Sequence, residues 1–596
     1  MKITTARRLA QIFFLATFAW LALVATVGTG WAQWRGWPVA WFLQLDPLAA
    51  VGTVLTTHSL HPGLVWALAT IVLTIVFGRV FCGFVCPFGA IHQFAGWLGR
   101  RARRPREKIA ANAYRPAQAV KYYILIAMIG AAAFSTGSGF VGRLHTGLLD
   151  PISLLSRSFN LVVLPAADLA FDRVFPAGRF SSGAALVGGL FIAFILLNLW
   201  IPRFYCRFVC PLGALLGVLA RRTLWGIGKT GRKCSECSLC DVDCEGACNP
   251  MGPIHISECL MCMNCLDTCP GAEPLGYLER PSQGGEVTSH GVTRRGFLVA
   301  ALGGLSAVPL ARLGGARTAW SPALIRPPGS VAEEEFLARC IKCSECVRVC
   351  PTNVLQPATF EHGWEALWTP ALNNRIGTSG CQLNCIACGQ ACPTGAIRPI
   401  SLDQKQGRGG FEAAGALRIG LASVDRGRCL PWAMDRPCIV CEENCPVTPK
   451  AITVSETRQT VRDGVFEVVA AKGATLRIRG AGLTPGQFAS GDYTCKLASE
   501  ERGRAIVANI GDTLTVDAAA AWPEAPAPGA RVEVQIRLQR PVVDPARCIG
   551  CGVCEHECPM NGLRAIRVTA DNETRDPRHS VLLAAHAAEP SSHTTP

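Results

Sequence analysis

Cys259-Leu-Met-Cys262-Met-Asn-Cys265-Leu-Asp-Thr-Cys269-Pro270 is a C-x2-C-x2-C-x3-C-P run. Thiolates at this spacing hold a [4Fe–4S] cluster: three sulfurs from one loop cap one face of the cubane, and the last Cys serves a neighbouring cluster. The run returns, Pro included, at Cys340, Cys343, Cys346, Cys350–Pro351 and at Cys548, Cys551, Cys554, Cys558–Pro559. Three variants complete the series. Cys234, Cys237, Cys240 and Cys244 are followed by Glu245 in place of Pro; Cys381, Cys385, Cys388, Cys392–Pro393 has one longer gap; Cys429, Cys438, Cys441, Cys445–Pro446 has a wide first gap. Six groups predict six [4Fe–4S] clusters and therefore an electron wire.

In the first pair of groups the spacing predicts crossed ligation, Cys234, Cys237, Cys240 with Cys269 and Cys259, Cys262, Cys265 with Cys244. Cys248 is either a spare buried thiol or a replacement for Cys244. The lone Cys495 reads as a structural thiol. Disulfide frameworks have irregular spacings in small secreted chains, so 30 Cys in these short runs argue against them.

With 596 residues the chain has room for several domains. It is 49% hydrophobic and only 17% charged, with a mean hydropathy of +0.27. That predicts a membrane protein with soluble portions. The net charge of +15 sits mostly beside apolar segments, which reads as membrane topology and excludes nucleic-acid binding. Apolar segments at about 9–27, 64–81, 120–134 with its continuation, and 184–200 predict four spans, each approaching the ~20 residues that cross ~30 Å of hydrocarbon. Basic loops at Arg100–Lys108 and Arg221–Lys233 place the N-terminus and these loops inside.

The membrane part repeats itself. Leu45-Asp46-Pro47-Leu48 returns as Leu149-Asp150-Pro151-Ile152, and Gly78-Arg79-Val-Phe-Cys82-Gly-Phe-Val-Cys86-Pro87 returns as Pro202-Arg203-Phe-Tyr-Cys206-Arg-Phe-Val-Cys210-Pro211. Two parallel copies predict a pseudo-two-fold bundle in which Cys82, Cys86, Cys206 and Cys210 converge. With Cys at i and i+4 on one helix face, these four make a metal or Fe–S relay centre, a redox disulfide site, or a set of buried thiols. Asp46, Asp150 and His145 are the candidate quinone-site residues, with His58, His61 and His92 behind them; each is equally an ordinary helix-end residue. No CxxCH, Walker A or strand-linked GxGxxG motif is present, so terminal catalysis falls to a partner.

The expected architecture is a polytopic α-helical membrane bundle with ferredoxin-like α+β domains. Residues 1–225 form the four-helix domain and 226–285 a two-cluster ferredoxin domain. Residues 291–317 carry Thr293-Arg294-Arg295-Gly296-Phe297-Leu298 and an apolar run, which reads as a twin-arginine-like signal or a fifth span. A four-cluster domain covers 326–454 and 541–570, interrupted by a β-rich insertion at 455–540, and 571–596 reads as a disordered tail.

The first ~280 residues resemble the NapH/NosR type of polytopic ferredoxin through the two CxxxCP motifs and the following cluster domain. From Thr293 the chain resembles the exported NapG ferredoxin, through the Arg pair, Arg326–Cys340 and Cys429-Leu-Pro-Trp432. The resemblance implies pairing of the 340 group with the 548 group and of the 381 group with the 429 group. It also implies a bacterial inner-membrane location with the two-cluster domain cytoplasmic and the four-cluster domain periplasmic. Electrons would pass from the membrane quinol pool, or from a cytoplasmic donor, to a periplasmic reductase such as nitrate reductase, or to a cytochrome c. NosR-type relatives imply the alternative of an electron-donating maturation or regulatory protein.

Overall fold

The computed structural model describes residues 2–25, 37–137, 146–171, 181, 183–232, 234, 236–269, 275–279, 291–313, 321–480 and 482–582. His145 and residues 583–596 lie outside them. Two compact units are present: residues 1–378 with 384–405, and residues 379–383 with 406–596.

The first unit is a helical bundle with ferredoxin-like loops. Its main helices are α1 (Ile3–Val24), α2 (Pro47–Thr57), α3 (Ala67–Phe77), α4 (Pro87–Arg100), α5 (Val120–Gly137), α6 (Pro151–Ser158), α7 (Ala184–Leu196), α8 (Pro211–Ala220), α9 (Arg294–Leu313) and α10 (Glu333–Arg339). Four begin Asp-Pro or Cys-Pro. The residue before a proline avoids the α region, and proline itself fits the first helical position. So Asp46, Asp150, Cys86 and Cys210 each become the N-cap of α2, α6, α4 and α8.

Among the described residues two helices are long and apolar enough to cross a membrane, Ile3–Val24 and Pro105–Ala133, the latter including most of α5. The expected second and fourth spans are shorter apolar helices, Pro62–Phe77 and Ala184–Leu199. The first stops at Gly78, whose φ of 75° leaves the helix; the other tightens into a 3-10 turn at Leu197–Leu199. The expected fifth span coincides with α9, Arg294–Leu313. It packs on α5 through small residues: a Cβ at Gly130 would lie 3.1 Å from Ala301 O, and one at Gly296 2.7 Å from the Tyr123 hydroxyl. Close backbone approach of this kind is how helices associate in lipid.

Two strands, β1 (Trp225–Lys229) and β2 (Leu275–Glu279), pair antiparallel around the first two cysteine groups. β3 (Leu355–Pro357) and β4 (Pro370–Leu372) pair between Cys350 and Cys381.

The second unit pairs β5 (Leu421–Val424) with β12 (Ile566–Thr569), again bracketing two cysteine groups. The β-rich insertion is a closed six-stranded barrel in the order β10-β7-β6-β11-β8-β9. Its strands are β6 (Ile452–Lys472), β7 (Thr475–Ile478), β8 (Tyr493–Leu497), β9 (Arg504–Ile510), β10 (Thr513–Val516) and β11 (Arg531–Val543). β6 and β11 run in register from Ile452↔Val543 to Ser455↔Arg540, so the barrel leaves and rejoins the cluster domain at one place. Alternate residues of β11 point inward, among them Val532, Val534 and Ile536, with Cys495 in the same core. The tail expected to be disordered from 571 is folded as far as 582. Asn572 and Glu573 are buried, and Glu573 pairs with His579 at 2.7 Å.

Candidate iron–sulfur and thiolate sites

Four of the cysteine loops share one backbone. In each, the second and fourth residues after the first Cys have positive φ: Glu236 and Ser238, Met261 and Met263, Lys342 and Ser344, Gly550 and Gly552. Left-handed backbone is costly for all but glycine. The same pair of positions adopts it four times, and this curls three thiols toward one point.

The thiols gather in fours drawn from two groups. Cys240 and Cys269 neighbour each other and Cys234, and Cys269 also neighbours Cys237. Cys265 neighbours Cys262, Cys259 and Cys244. This is the crossed arrangement expected from the spacing. Cys248 joins the second set: its Sγ is 3.5 Å from Cys244 Sγ, its amide donates to the same sulfur at 3.4 Å, and its thiol contacts Cys259.

The pairing implied for the later groups is corrected. Cys340, Cys343 and Cys346 line a cavity of about 350 Å³ together with Cys392, so the 340 group pairs with the 381 group. In the second unit Cys429, Cys438, Cys441 and Cys558 line about 380 Å³, and Cys445, Cys548, Cys551 and Cys554 line about 310 Å³. The 429 group therefore pairs with the 548 group. The physical reason is the in-register closure of β6 on β11, which brings Cys445 back beside Cys548 across the whole barrel.

These cavities fit a cubane. Each brings four soft sulfur donors together, two amid apolar side chains and one with Lys342 and Glu345 also in its wall, and thiolate sulfur is the ligand that selects Fe–S clusters. Burial pushes Cys240, Cys262, Cys441 and Cys551 up to about 12, so these thiols keep their protons in neutral water and release them to solvent when a cation binds the sulfurs. Among the described residues no three His, Cys, Asp or Glu close on a single metal ion.

The CxxxCP cysteines do not share a helix face as the spacing suggested. Cys82 sits in a π-turn, Phe81–Val85, and Cys86 follows it in extended backbone as the cap of α4. Cys206 lies in the short helix Phe204–Phe208, with Cys210 capping α8. The cause is Pro87 and Pro211, which bar helical backbone at the preceding Cys. The four thiols nevertheless converge: Cys86 neighbours Cys82 and Cys206, and Cys210 neighbours the other three. The Gly89 amide donates to Cys86 Sγ at 3.4 Å and the Gly213 amide to Cys210 Sγ at 3.1 Å. Amides and a helix N-terminus both favour sulfur in the anionic form.

Two buried arginines cross between the halves of the repeat. Arg79 Nη2 lies 3.9 Å from Cys82 Sγ and 2.8 Å from where a Cβ on Gly213 would stand; Arg203 Nη1 lies 3.3 Å from the Cβ position of Gly89. Each arginine thus sits under the other half's cysteine cap. Arg203 also pairs with Glu245 at 2.9 Å, which Arg7 meets at 3.3 Å. Glu258 accepts from Tyr122 at 2.8 Å, from Gln118 at 3.1 Å and from Lys121. Sequence reasoning assigned none of these charges a role. The signal was there in the repeat, since Arg79 and Arg203 hold equivalent places three residues before Cys82 and Cys206.

Cluster loops meet the bundle at both ends. Leu260 O lies so close to Gly83, in the first CxxxCP turn, that a Cβ there would collide with it. A Cβ on Gly78 would touch Met261 at 3.3 Å, and one on Gly63 would touch Pro393 O at 3.4 Å. The helical segment Pro62–Phe77 therefore runs from the loop after Cys392 to the loop between Cys259 and Cys262, over about 24 Å. Near the first of these ends Gly147 is pressed on Ile341 O, Arg157 donates to Lys342 O at 3.3 Å, and Asn160 donates to Cys343 O at 3.4 Å.

Of the candidate quinone-site residues, Asp46 and Asp150 are 0% and 1% exposed and face each other. His145 lies outside the described residues. His92 is buried and stacks on Tyr205, ring centroids 5.7 Å apart.

Comparison with known proteins agrees with this geometry. A model of a 4Fe-4S binding domain matches residues 60–106 and 183–233, the two CxxxCP copies. A 4Fe-4S dicluster domain matches 339–397, which holds Cys340, Cys343, Cys346 and Cys392, and a 4Fe-4S binding domain matches 541–564. The chain is 27% identical over 270 residues to the regulatory protein NosR of Pseudomonas aeruginosa, covering 42% of this chain and 34% of that protein. It is 30% identical over 216 residues to the protein NirI of Paracoccus denitrificans, covering 35% and 28%. It is 26% identical over 242 residues to the ferredoxin-type protein NapH of Escherichia coli, covering 38% and 71%. The chain thus spans about a third of the length of NosR and NirI. No solved structure matches. The chain is an iron–sulfur protein with 4Fe–4S domains, similar to NapH and NosR.

Proposed function

We propose that this chain is a membrane-anchored electron wire of the quinol-dehydrogenase type. The observation that carries the reading is the segment Pro62–Phe77, with a cluster loop against each end and the four converging CxxxCP thiols beside the Cys259–Cys262 end. Six [4Fe–4S] clusters are proposed. Five have their ligands in the Cys234, Cys259, Cys340, Cys429 and Cys548 sets above, and Cys350, Cys385 and Cys388 supply ligands of the sixth. The CxxxCP thiols hold a further Fe–S or metal centre that relays electrons through the bundle. Helix-cap amides and two buried arginines beside those sulfurs support an anionic centre over neutral thiols.

The chain would lie in a bacterial inner membrane and cross it several times, with 226–285 in the cytoplasm and the later cluster domains, resembling NapG, in the periplasm. The electron source would be the quinol pool or a cytoplasmic donor, and the acceptor a periplasmic reductase such as nitrate reductase, or a cytochrome c. Adding a quinol analogue to the anaerobic protein and following cluster EPR tests this. Prompt reduction supports the reading. Reduction only by a low-potential donor refutes quinol oxidation. It would favour the alternative role that the NosR likeness suggests, electron delivery for maturation of a periplasmic metalloenzyme.

A further inference from the structure

The two copies of the Leu-Asp-Pro segment meet at their aspartates. Asp46 Oδ1 accepts the Leu48 amide at 2.8 Å, and Asp150 Oδ2 accepts the amides of Ile152 at 3.0 Å and Ser153 at 2.8 Å. The other oxygen of each, Asp46 Oδ2 and Asp150 Oδ1, has no donor. The two carboxyl groups lie within hydrogen-bonding contact of each other, and the fully buried Ser153 hydroxyl lies within hydrogen-bonding reach of Asp150. Two ionised carboxylates cannot persist in contact away from water. One proton held between the orphan oxygens satisfies both and leaves a single negative charge, which the N-termini of α2 and α6 favour.

The pair stands between redox sites. Tyr205, next to Cys206, donates to Leu149 O beside Asp150. Arg157, two turns along α6, is held by Gly147 O, Leu148 O and Lys342 O and stacks 4.3 Å over Trp368. The charged and titratable groups that face the pair are Arg157 from its own helix, Tyr205 from the second cysteine turn, which His92 of α4 backs, and Lys342 from the cluster loop beyond Arg157. On α5, Lys121 and Tyr122 are engaged by Glu258.

We propose that Asp46 and Asp150 form an internal proton store coupled to electron passage between the CxxxCP centre and the Cys340–Cys343–Cys346 cluster. When a neighbouring centre takes one electron from the chain's donor, the store takes one proton from water and both carboxyls become neutral. When the electron leaves, the proton leaves and the pair returns to one shared proton. No bond other than O–H forms or breaks. The proposal rests on the electron-wire reading for the source of its electrons.

The test uses the full chain, purified anaerobically. Potentials of the clusters are titrated by EPR across pH, alongside redox-difference infrared spectra in the carboxyl region, for wild type, D46N and D150N. Asparagine caps helices as well as aspartate, so the fold is expected to survive; iron content checks it. The expected result is a potential that falls with rising pH and a protonated-carboxyl band that grows on reduction, both lost in each variant. Potentials independent of pH in wild type, or unchanged slopes in both variants, overturn the store. Iron analysis of a variant lacking the four CxxxCP cysteines separates the readings. If no iron is lost there while the Cys340 cluster still follows pH through Asp46, the CxxxCP centre fails and the store stands.

Discussion

Gly83→Ala should cut the wire at one joint without removing a ligand. Gly83 lies inside the Cys82–Cys86 turn, and an added Cβ would fall well within 3.0 Å of Leu260 O, a backbone atom between two cluster cysteines. Neither side is a flexible side-chain tip, so the turn and the loop must separate. Overpacking of this kind costs about 1–3 kcal/mol, and with backbone on both sides the upper end is expected. Gly147→Ala is the matching change at the other end, against Ile341 O. Gly189→Ala in α7 is the control: nothing lies within 4 Å of its Cβ, and replacing a helical glycine should be neutral or stabilise by up to about 1 kcal/mol. Stability is read by thermal unfolding in detergent, and electron passage by rapid-mixing spectroscopy after reducing one set of clusters. Gly83→Ala and Gly147→Ala should keep full iron yet slow passage at different joints, and Gly189→Ala should do neither. Full-speed passage in Gly83→Ala at normal stability would refute the claim that the Cys259–Cys262 loop docks on the CxxxCP turn.

Further outcomes follow from the same contacts. Cys558→Ala should remove the EPR signal of the Cys429 cluster and Cys445→Ala that of the Cys548 cluster; the reverse assignment would restore uncrossed ligation. Arg203→Met leaves Glu245 with Arg7 and the Asn264 side-chain amide, and losing one hydrogen-bonded partner of a buried charge costs about 1–3 kcal/mol, measurable as early unfolding with loss of iron near the CxxxCP turn. Joining Ser455 to Arg540 by a short turn, which the register of β6 and β11 permits, should delete most of the barrel while all iron is retained. At the C-terminal turn, hydrogen bonding to Arg578 holds the Asp576 carboxyl at about 2, below its ordinary 3.8. A depressed carboxylate contributes stability above the unfolded value and loses it as pH falls through the folded one. Protection of the amides over 571–582, relative to their intrinsic exchange, should therefore fall between pH 4 and 2, and D576N should be weakly protected throughout.

The parts of this fold set by short-range chemistry were legible in the residues. The cysteine spacing identified the cluster loops, the repeat predicted that the four CxxxCP thiols would converge, and alternation marked the strands of the insertion. What escaped depends on long-range geometry. The pairing of the 429 and 548 groups is decided by a barrel that opens at Ile452 and closes at Val543, and nothing local to the cysteines encodes that closure. The helix-face reading of Cys82 and Cys86 failed because Pro87 acts on the residue before it. Span length failed because hydropathy does not register a left-handed Gly78 or a 3-10 end at Leu199. Glu245 stood out only as the residue in place of a Pro after Cys244, and Glu258 not at all; their roles exist only once Arg7, Arg203 and Lys121 are folded against them.

The most direct test places the full chain in sealed vesicles, supplies electrons to one face with a membrane-impermeant reductant, and follows an impermeant acceptor on the other. The account predicts transmembrane electron flux that disappears when Cys86 and Cys210 are both changed to Ser while the clusters on each side remain assembled. Undiminished flux in that double variant, or none in the intact chain with full iron, would contradict it.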